Sequence, residues 1–533
     1  MTDVLVIGSG ISGALAAKGL IDAGATVTML DIGMDDNLRD RVPDVSFSQL
    51  RRNDPQQAAY LIGKNLEGVG STGVKVGAQL TPPRQFIQRG ADDLLPYRSK
   101  TFFPMIPVSL GGLGAGWGAA CFTFTPAEFE RTGIGADLSP FYQQAANIVG
   151  ISAEHSDEYN RDLWSGVTQH QSLLEIDSNA ESILTRATSG KLAPIGMTLG
   201  RIPLAILSSD HGTRRANPYT DMDFYGDVRE SIFRPRYLIR ELRKNPRFTY
   251  CGGQLALRFV DRKENGVRFY ARDITSGRIV STEARKAILC AGALNSARIA
   301  LQSLGLPGVR TTVLCNPYTY MPAVNLAMLG RSARDRRYSM AQIGGILRQE
   351  NSSDAFGCHQ MYSYRALMLF KLVKEMPLPP ALGLLTARIL VNALAVFGIF
   401  FLDEQSESKH LSIQDAPEDQ AAPLSIDYRQ SAEEMARQRR HEDRFRRGLR
   451  RLGCIPIGRI DPGKAASIHY AGTIPYSNPL NPQFHAETDC TLADHPNIYL
   501  GDGAPWNFLP CKGLSFTLMA NALRVAAIAL RAL

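Results

Sequence analysis

The first 33 residues constrain this chain more than any other stretch. After Met-Thr-Asp, an apolar run, Val4–Ile7, leads into Gly8-Ser9-Gly10-Ile11-Ser12-Gly13. A helix-like segment follows, then a second apolar run, Ala25–Leu30, closed by Asp31. Each part answers a physical need. Gly8 allows a tight turn, Gly10 lets the backbone approach a pyrophosphate, and Gly13 lets helix and strand pack closely. The free N–H groups and partial positive charge at a helix N-terminus suit phosphate oxygens. Asp31, 18 residues beyond Gly13, can accept hydrogen bonds from both hydroxyls of an adenosine ribose. The glycine pattern alone says little, because 47 of 533 residues are glycine. Strand, turn, helix and distal acid together predict a dinucleotide site.

A chain of 533 residues exceeds one simple core, so two or more domains are expected. Apolar content of 44% and charged content of 21% describe an ordinary folded chain rather than a disordered or fibrous one. The net charge of +8 is concentrated in Arg437–Arg451, on a predicted helix opened by the capping-box pair Ser431 and Glu434. That segment reads as a solvated helix face, and nucleic acid is not an expected partner. Eight cysteines, from Cys121 to Cys511, show no CxxC and no metal-like spacing. They read as reduced, mostly buried thiols of a cytoplasmic protein with no metal site. The N-terminus carries no basic n-region, so no signal peptide is expected.

Further along, Pro107–Leu110 leads into Gly111-Gly112-Leu113-Gly114-Ala115-Gly116-Trp117-Gly118, a loop dense enough in glycine to bring backbone close to a flat or phosphorylated group. A helix is predicted from Tyr237 to near Asn245-Pro246. Strands are predicted at Phe248–Val260 and Val267–Ile274, separated by a turn at Glu264-Asn265-Gly266. Lys286–Cys290 reads as a buried strand, followed by a turn at Ala291-Gly292 and a helix to about Gly305. The chain closes with Asn497-Ile498-Tyr499-Leu500-Gly501-Asp502-Gly503 and a helix from Ser515 to about Leu533.

Five motifs now stand in order: the N-terminal fingerprint, the Gly111–Gly118 loop, Ala291-Gly292-Ala293-Leu294-Asn295-Ser296-Ala297-Arg298, His469-Tyr470-Ala471-Gly472-Thr473, and Asn497–Gly503. The set resembles the glucose–methanol–choline oxidoreductase family, and Trp117-Gly118 is similar to its pyranose-oxidase and sugar-3-oxidase branch. The resemblance implies an α/β fold: a Rossmann-type FAD-binding domain assembled from discontinuous segments, plus a substrate domain with a largely antiparallel sheet. Residues 1–129, 226–310 and 456–533 would form the first, and 130–225 and 311–455 the second. It also implies that Gly8, Gly10 and Gly13 hold the pyrophosphate and Asp31 the ribose. Gly111 and Gly112 would run along the flavin, Ala256 would meet the adenine, and Asp502 and Gly503 would lie beside the pyrophosphate and ribityl chain. Ser12, Gly116, Trp117, Ala291, Gly292 and Ser515 complete the expected cofactor set. His469 falls at the family's catalytic histidine, and a near-neutral imidazole suits removal of a hydroxyl proton. His359 and His485 are weaker pocket candidates.

Two departures matter. The family's second polar residue, eleven positions after the Asp of the Asp-Gly block, is replaced by Gly513. Lys512, Asn507 and Ser515 are the candidates to stand in for it; a lysine ammonium there would favour reduced, anionic flavin. Gly116 occupies the position of the histidine that binds flavin covalently in pyranose oxidase, so FAD is expected to be non-covalent.

Residues 377–402 are nearly all apolar, with Lys371 and Lys374 just before them. The length approaches the roughly 20 residues that span a bilayer, but Arg388 and Asn392 lie inside it, and charge there is costly. The remaining readings are a buried core segment, an apolar lid or tunnel, and an interfacial membrane patch or oligomer contact. Its place in the substrate domain points to a small-molecule substrate less polar than glucose. Three functions remain in play. The first is an FAD-dependent dehydrogenase or oxidase, with O2 or a redox partner as electron acceptor. The second is a flavin-dependent isomerase, desaturase or oxidative tailoring enzyme. The third is a non-catalytic flavin-bearing subunit.

Overall fold

The computed structural model describes residues 2–35, 43–63, 81–154, 161–187, 190–332, 335–350, 352–363 and 378–533. Its larger sheet is built around five parallel strands drawn from separated parts of the chain. Thr2–Ile7 lies between Val27–Leu30 and the end of Ile279–Leu289; Phe248–Cys251 extends one side and His495–Leu500 the other. Parallel neighbours need crossover connections. The helix Ile11–Asp22 supplies the first, and packs against the terminal helix Ser515–Arg531. Val4–Ile7 alternates between two apolar clusters, one on each face of the sheet, so the strand is buried on both sides.

The single strand expected over Phe248–Val260 is two. Phe248–Cys251 joins the parallel sheet, and Gln254–Asp261 forms an antiparallel hairpin with Val267–Asp273. The break falls at Gly252-Gly253, where Gly253 takes φ +74°, a conformation glycine adopts without strain. The other elements fall close to expectation: helices Pro235–Leu242, Ala293–Ser303 and Ser515–Arg531, and a capping-box start at Ser431 for the basic helix Ala432–Arg451.

The second sheet is antiparallel throughout. Its six strands run in the order Cys454–Pro456, Tyr318–Asn325, Leu394–Phe401, Ala355–Tyr362, Ile343–Arg348, Gly200–Arg201. This resolves the apolar segment. All eight residues of Leu394–Phe401 are buried in the middle of the sheet, which explains an unbroken apolar run. The first half is instead the helix Pro380–Leu390, with several leucines on the surface. Asn392, between them, is buried: its Oδ1 accepts from Arg337 Nη2 (3.3 Å) and its Nδ2 donates to the carbonyl of Arg331 (2.8 Å). Among the described residues no helix is long and apolar enough to cross a membrane. Residue 377 and the lysines at 371 and 374 lie outside the described residues. All eight cysteines are free.

Candidate active site

One long cavity of about 1910 Å³, its open end included, runs from the N-terminal glycine turn to His469. The glycines explain its shape. A Cβ on Gly13 would sit 1.9 Å from the carbonyl oxygen of Gly8, and one on Gly8 2.6 Å from that of Cys290. These two residues close helix and strands against each other. Gly10 differs: its backbone is extended, and a Cβ there would meet no atom within 4 Å. Its face is open cavity, where a phosphate can approach the first turn of the helix.

Charged side chains along the cavity gather in this nucleotide half. Asp31 accepts from Tyr250 Oη (3.0 Å) and from the Ser9 amide (3.3 Å). Asp502 accepts from Ser296 Oγ (2.6 Å) and from the Ala504 amide (2.9 Å). Burial pushes both carboxyls up to about 6. Arg298, fully buried, donates from Nη2 to the carbonyls of Leu95 and Pro96, yet its Nε and Nη1 find no protein partner. Asn295 Oδ1 is likewise unpartnered. Both residues line the cavity. Buried polar atoms are nearly always satisfied, so these orphans fit a polar, anionic occupant such as a dinucleotide. Gly292, at φ +81°, caps the helix that carries them and leaves its own face open.

The far half is built differently. His469 enters from the segment before Tyr470–Ala471, and its ring stacks on Phe400 at 4.8 Å. Its Nδ1 lies 2.9 Å from Asn316 Oδ1. The Asn316 amide has no freedom to flip, because Nδ2 donates to the carbonyls of Phe401 (2.7 Å) and Pro510 (2.8 Å). Nδ1 is therefore the protonated nitrogen, and the lone pair is left on Nε2. Although the ring borders the cavity, its depth in the protein pulls its pKa down to about 3, so it is neutral. The same cavity is lined by Trp117, whose indole donates to the Phe233 carbonyl (2.7 Å), and by the pair Tyr362–Gln360, with the phenol donating to Gln360 Oε1 (3.0 Å). Two cavity residues hold left-handed backbone despite carrying side chains: Ala119 at φ 63° and Ile468 at φ 62°. A β-branched residue there is strained, and such strain gathers at functional sites.

Most of the sequence-derived set lines this cavity: Gly8, Gly10, Ser12, Asp31, Gly112, Gly116, Trp117, Ala256, Ala291, Gly292, His469, Asp502, Gly503 and Ser515. Gly13 and Gly111 do not. Gly13 serves the helix–strand contact, and the Gly111 amide donates to Ser9 Oγ (2.8 Å). A Cβ on Gly116 would meet Ile87 Cδ1 at 2.6 Å, so a larger residue at this position would require the tip of Ile87 to shift. Four candidates are corrected. Lys512 is buried away from the cavity, its ammonium bound by Glu128 Oε2 (2.7 Å) and the Thr123 carbonyl (3.1 Å). Asn507 points elsewhere, accepting from the Ser477 amide (2.8 Å). His359 donates from Nε2 to the Thr198 carbonyl (2.9 Å) on the opposite face of its strand from Gln360 and Tyr362, and His485 borders no part of the cavity. Of the three stand-ins for the residue lost at Gly513, Ser515 alone borders it. Asn316, Gln360, Tyr362 and Arg298 were not singled out from sequence. For Gln360 and Tyr362 the i, i+2 spacing beside an apolar strand was the available signal.

No family model and no curated protein sequence matches the chain. Solved structures do. Pyridoxine 4-oxidase from "Mesorbium loti" is 14% identical over 99% of both chains, with a TM-score of 0.56. An FAD-dependent oxidoreductase from Chaetomium thermophilum is 14% identical over 100% of this chain and 99% of that one, at 0.60. The formate oxidase of Aspergillus oryzae RIB40 is 12% identical over 100% and 98%, at 0.59. The chain has the fold of FAD-dependent oxidoreductases. At these identities the likeness is one of fold, and it extends from end to end. The motif-based resemblance thus holds for the architecture.

Proposed function

We propose that this protein binds FAD non-covalently and oxidises a neutral, rather apolar small molecule at a hydroxyl-bearing carbon. The observation that carries the reading is the fixed tautomer of His469 beside a cavity whose other half suits a dinucleotide. Gly10, Gly292 and Arg298 would hold the pyrophosphate region, and Asp31 and Asp502 the hydroxyls of the cofactor chain. Bound FAD supplies an acceptor for a hydride. His469 Nε2 takes the proton of the substrate hydroxyl as the hydrogen on carbon departs with its electron pair, leaving a carbonyl. Asn316 keeps the ring turned for that transfer. The rings of Trp117, Tyr362 and Phe400 shape the substrate space and exclude water.

Substrate class follows from charge. Asp31, Arg298 and Asp502 are the charged side chains lining the cavity among the described residues. No ion pair or hydrogen bond joins any of them to His469, Gln360 or Tyr362, so a neutral substrate suits that end better than a carboxylate or ammonium. Tyr362 Oη and Gln360 offer one donor–acceptor pair, enough for a single further polar group. The eight free thiols favour a reducing, cytoplasmic setting.

An anaerobic absorbance screen tests this reading. Stoichiometric bleaching of bound flavin by neutral alcohols, in preference to free hexoses or carboxylates, is the expected result. Product formed without net bleaching would point to isomerisation, and a flavin that no donor reduces would end the enzymatic reading.

A further inference from the structure

Among the described residues, half of the exposed large apolar side chains lie on three linked surface elements. On the helix Pro380–Leu390, Leu382, Leu384, Leu385 and Ile389 are 45–53% exposed, while Gly383 and Ala387 are buried. The helix is thus amphipathic with its larger side chains outward. Its end is joined to the next surface element by the Gly330 amide, which donates to the Ile389 carbonyl (3.2 Å). That turn exposes Leu326 and Leu329. The Leu326 amide in turn donates to the Gly453 carbonyl (3.1 Å), leading to the edge strand Cys454–Pro456. There Ile455, paired with Val324, and Ile457, whose amide donates to the Pro322 carbonyl, are 47% and 55% exposed. The result is a run of exposed apolar side chains along one end of the antiparallel sheet, and clustered exposure of this kind marks interaction surfaces.

The charge around this face selects its occupant. Arg388 lies within the exposed arc of the helix, Arg331 follows the joining turn, and Arg450 and Arg451 close the basic helix beside the edge strand; all four are exposed. Among the described residues, none of the four has a carboxylate within ion-pair distance. Two acids that flank these elements in sequence are already matched: Asp335 with Arg337 (3.5 Å) and Asp461 with Arg459 (3.6 Å). A two-fold contact with a second copy would lay cation against cation. A surface that is apolar inside and negative at its boundary complements both features. No described helix is long and apolar enough to span a bilayer, so the contact is with one leaflet only.

We propose that this face docks on an anionic phospholipid surface, with the leucines of the Pro380–Leu390 helix entering the headgroup–acyl boundary and the arginines meeting lipid phosphates. The inference is independent of the flavin reading.

Sedimentation of the full-length protein with vesicles tests it. Phosphatidylcholine–phosphatidylglycerol vesicles should carry the protein down, phosphatidylcholine alone much less, and high salt should release it. The pair Leu382→Gln/Leu385→Gln should lower the partition coefficient about tenfold or more through lost apolar area. The pair Arg331→Gln/Arg388→Gln should weaken the salt dependence while leaving the melting curve intact. Protein that stays in the supernatant, or binds both vesicle types equally, overturns the proposal. So does a dimer in velocity sedimentation that Leu385→Gln dissociates, since the occupant would then be a second copy.

Discussion

Asn316 holds His469 through a 2.9 Å hydrogen bond to Nδ1, and is itself fixed by donating to the carbonyls of Phe401 and Pro510. One amide therefore decides which ring nitrogen faces the reaction. Removing it in Asn316→Ala frees the ring to flip and to change tautomer. The expected loss in the rate of flavin reduction is about 10- to 100-fold, carried in kcat with little change in KM. His469→Ala should lose roughly a hundredfold or more. Stopped-flow reduction under anaerobic conditions reads both, and an Asn316→Ala rate equal to wild type would remove the orienting role.

The low pKa of His469 gives a signed pH dependence. With the folded-state value near 3 rather than 6.5, the imidazole stays neutral across the usual working range. The acid limb of kcat/KM should therefore lie well below pH 6.5. In the same window, from 6.5 down towards 3, the unfolded chain binds a proton on this ring that the folded chain does not. Stability is accordingly lost as pH falls, and His469→Gln should reduce that loss. Deuterium in the substrate and in the solvent should both slow reduction if proton and hydride move together.

Gly10 and Gly13 stand three residues apart but should fail differently. Gly13→Ala places a methyl where the Gly8 carbonyl already lies, so soluble, folded protein should be lost. A Cβ at Gly10 meets no protein atom within 4 Å, and the backbone there is extended, so in Gly10→Val the fold should survive while the cavity is blocked. Circular dichroism would show native structure, with flavin content near zero after gel filtration. Arg298→Met should likewise lower flavin retention.

Lys512 separates structural from chemical roles. Its ammonium is buried against Glu128, and removing one partner of a buried pair costs about 3 kcal/mol. Lys512→Met should therefore lower the melting temperature of the holoprotein and leave the reduction rate of the surviving fraction unchanged. A slowed rate with unchanged melting would return this residue to the flavin site.

What the sequence determined by itself is the nucleotide half of the protein. Gly8–Gly13 and Asp31 lie within one strand–turn–helix–strand unit, where neighbours in sequence are neighbours in space and each residue type answers a local backbone or phosphate requirement. The identity of His469 was legible too, because its flanking motif travels with it. The tertiary structure alone decided the rest. Asn316 lies 153 positions from His469, and Arg298 meets Leu95 and Pro96 from about 200 positions away, so no spacing along the chain announces either contact. Lys512 illustrates the converse: its place beside Gly513 suggested chemistry, but Glu128, 384 positions away, claims its charge. The apolar 377–402 run divided for the same reason. Hydrophobicity marks residues that must avoid water, but only the neighbouring strands decide that Leu394–Phe401 finds cover and that the leucines of the preceding helix do not.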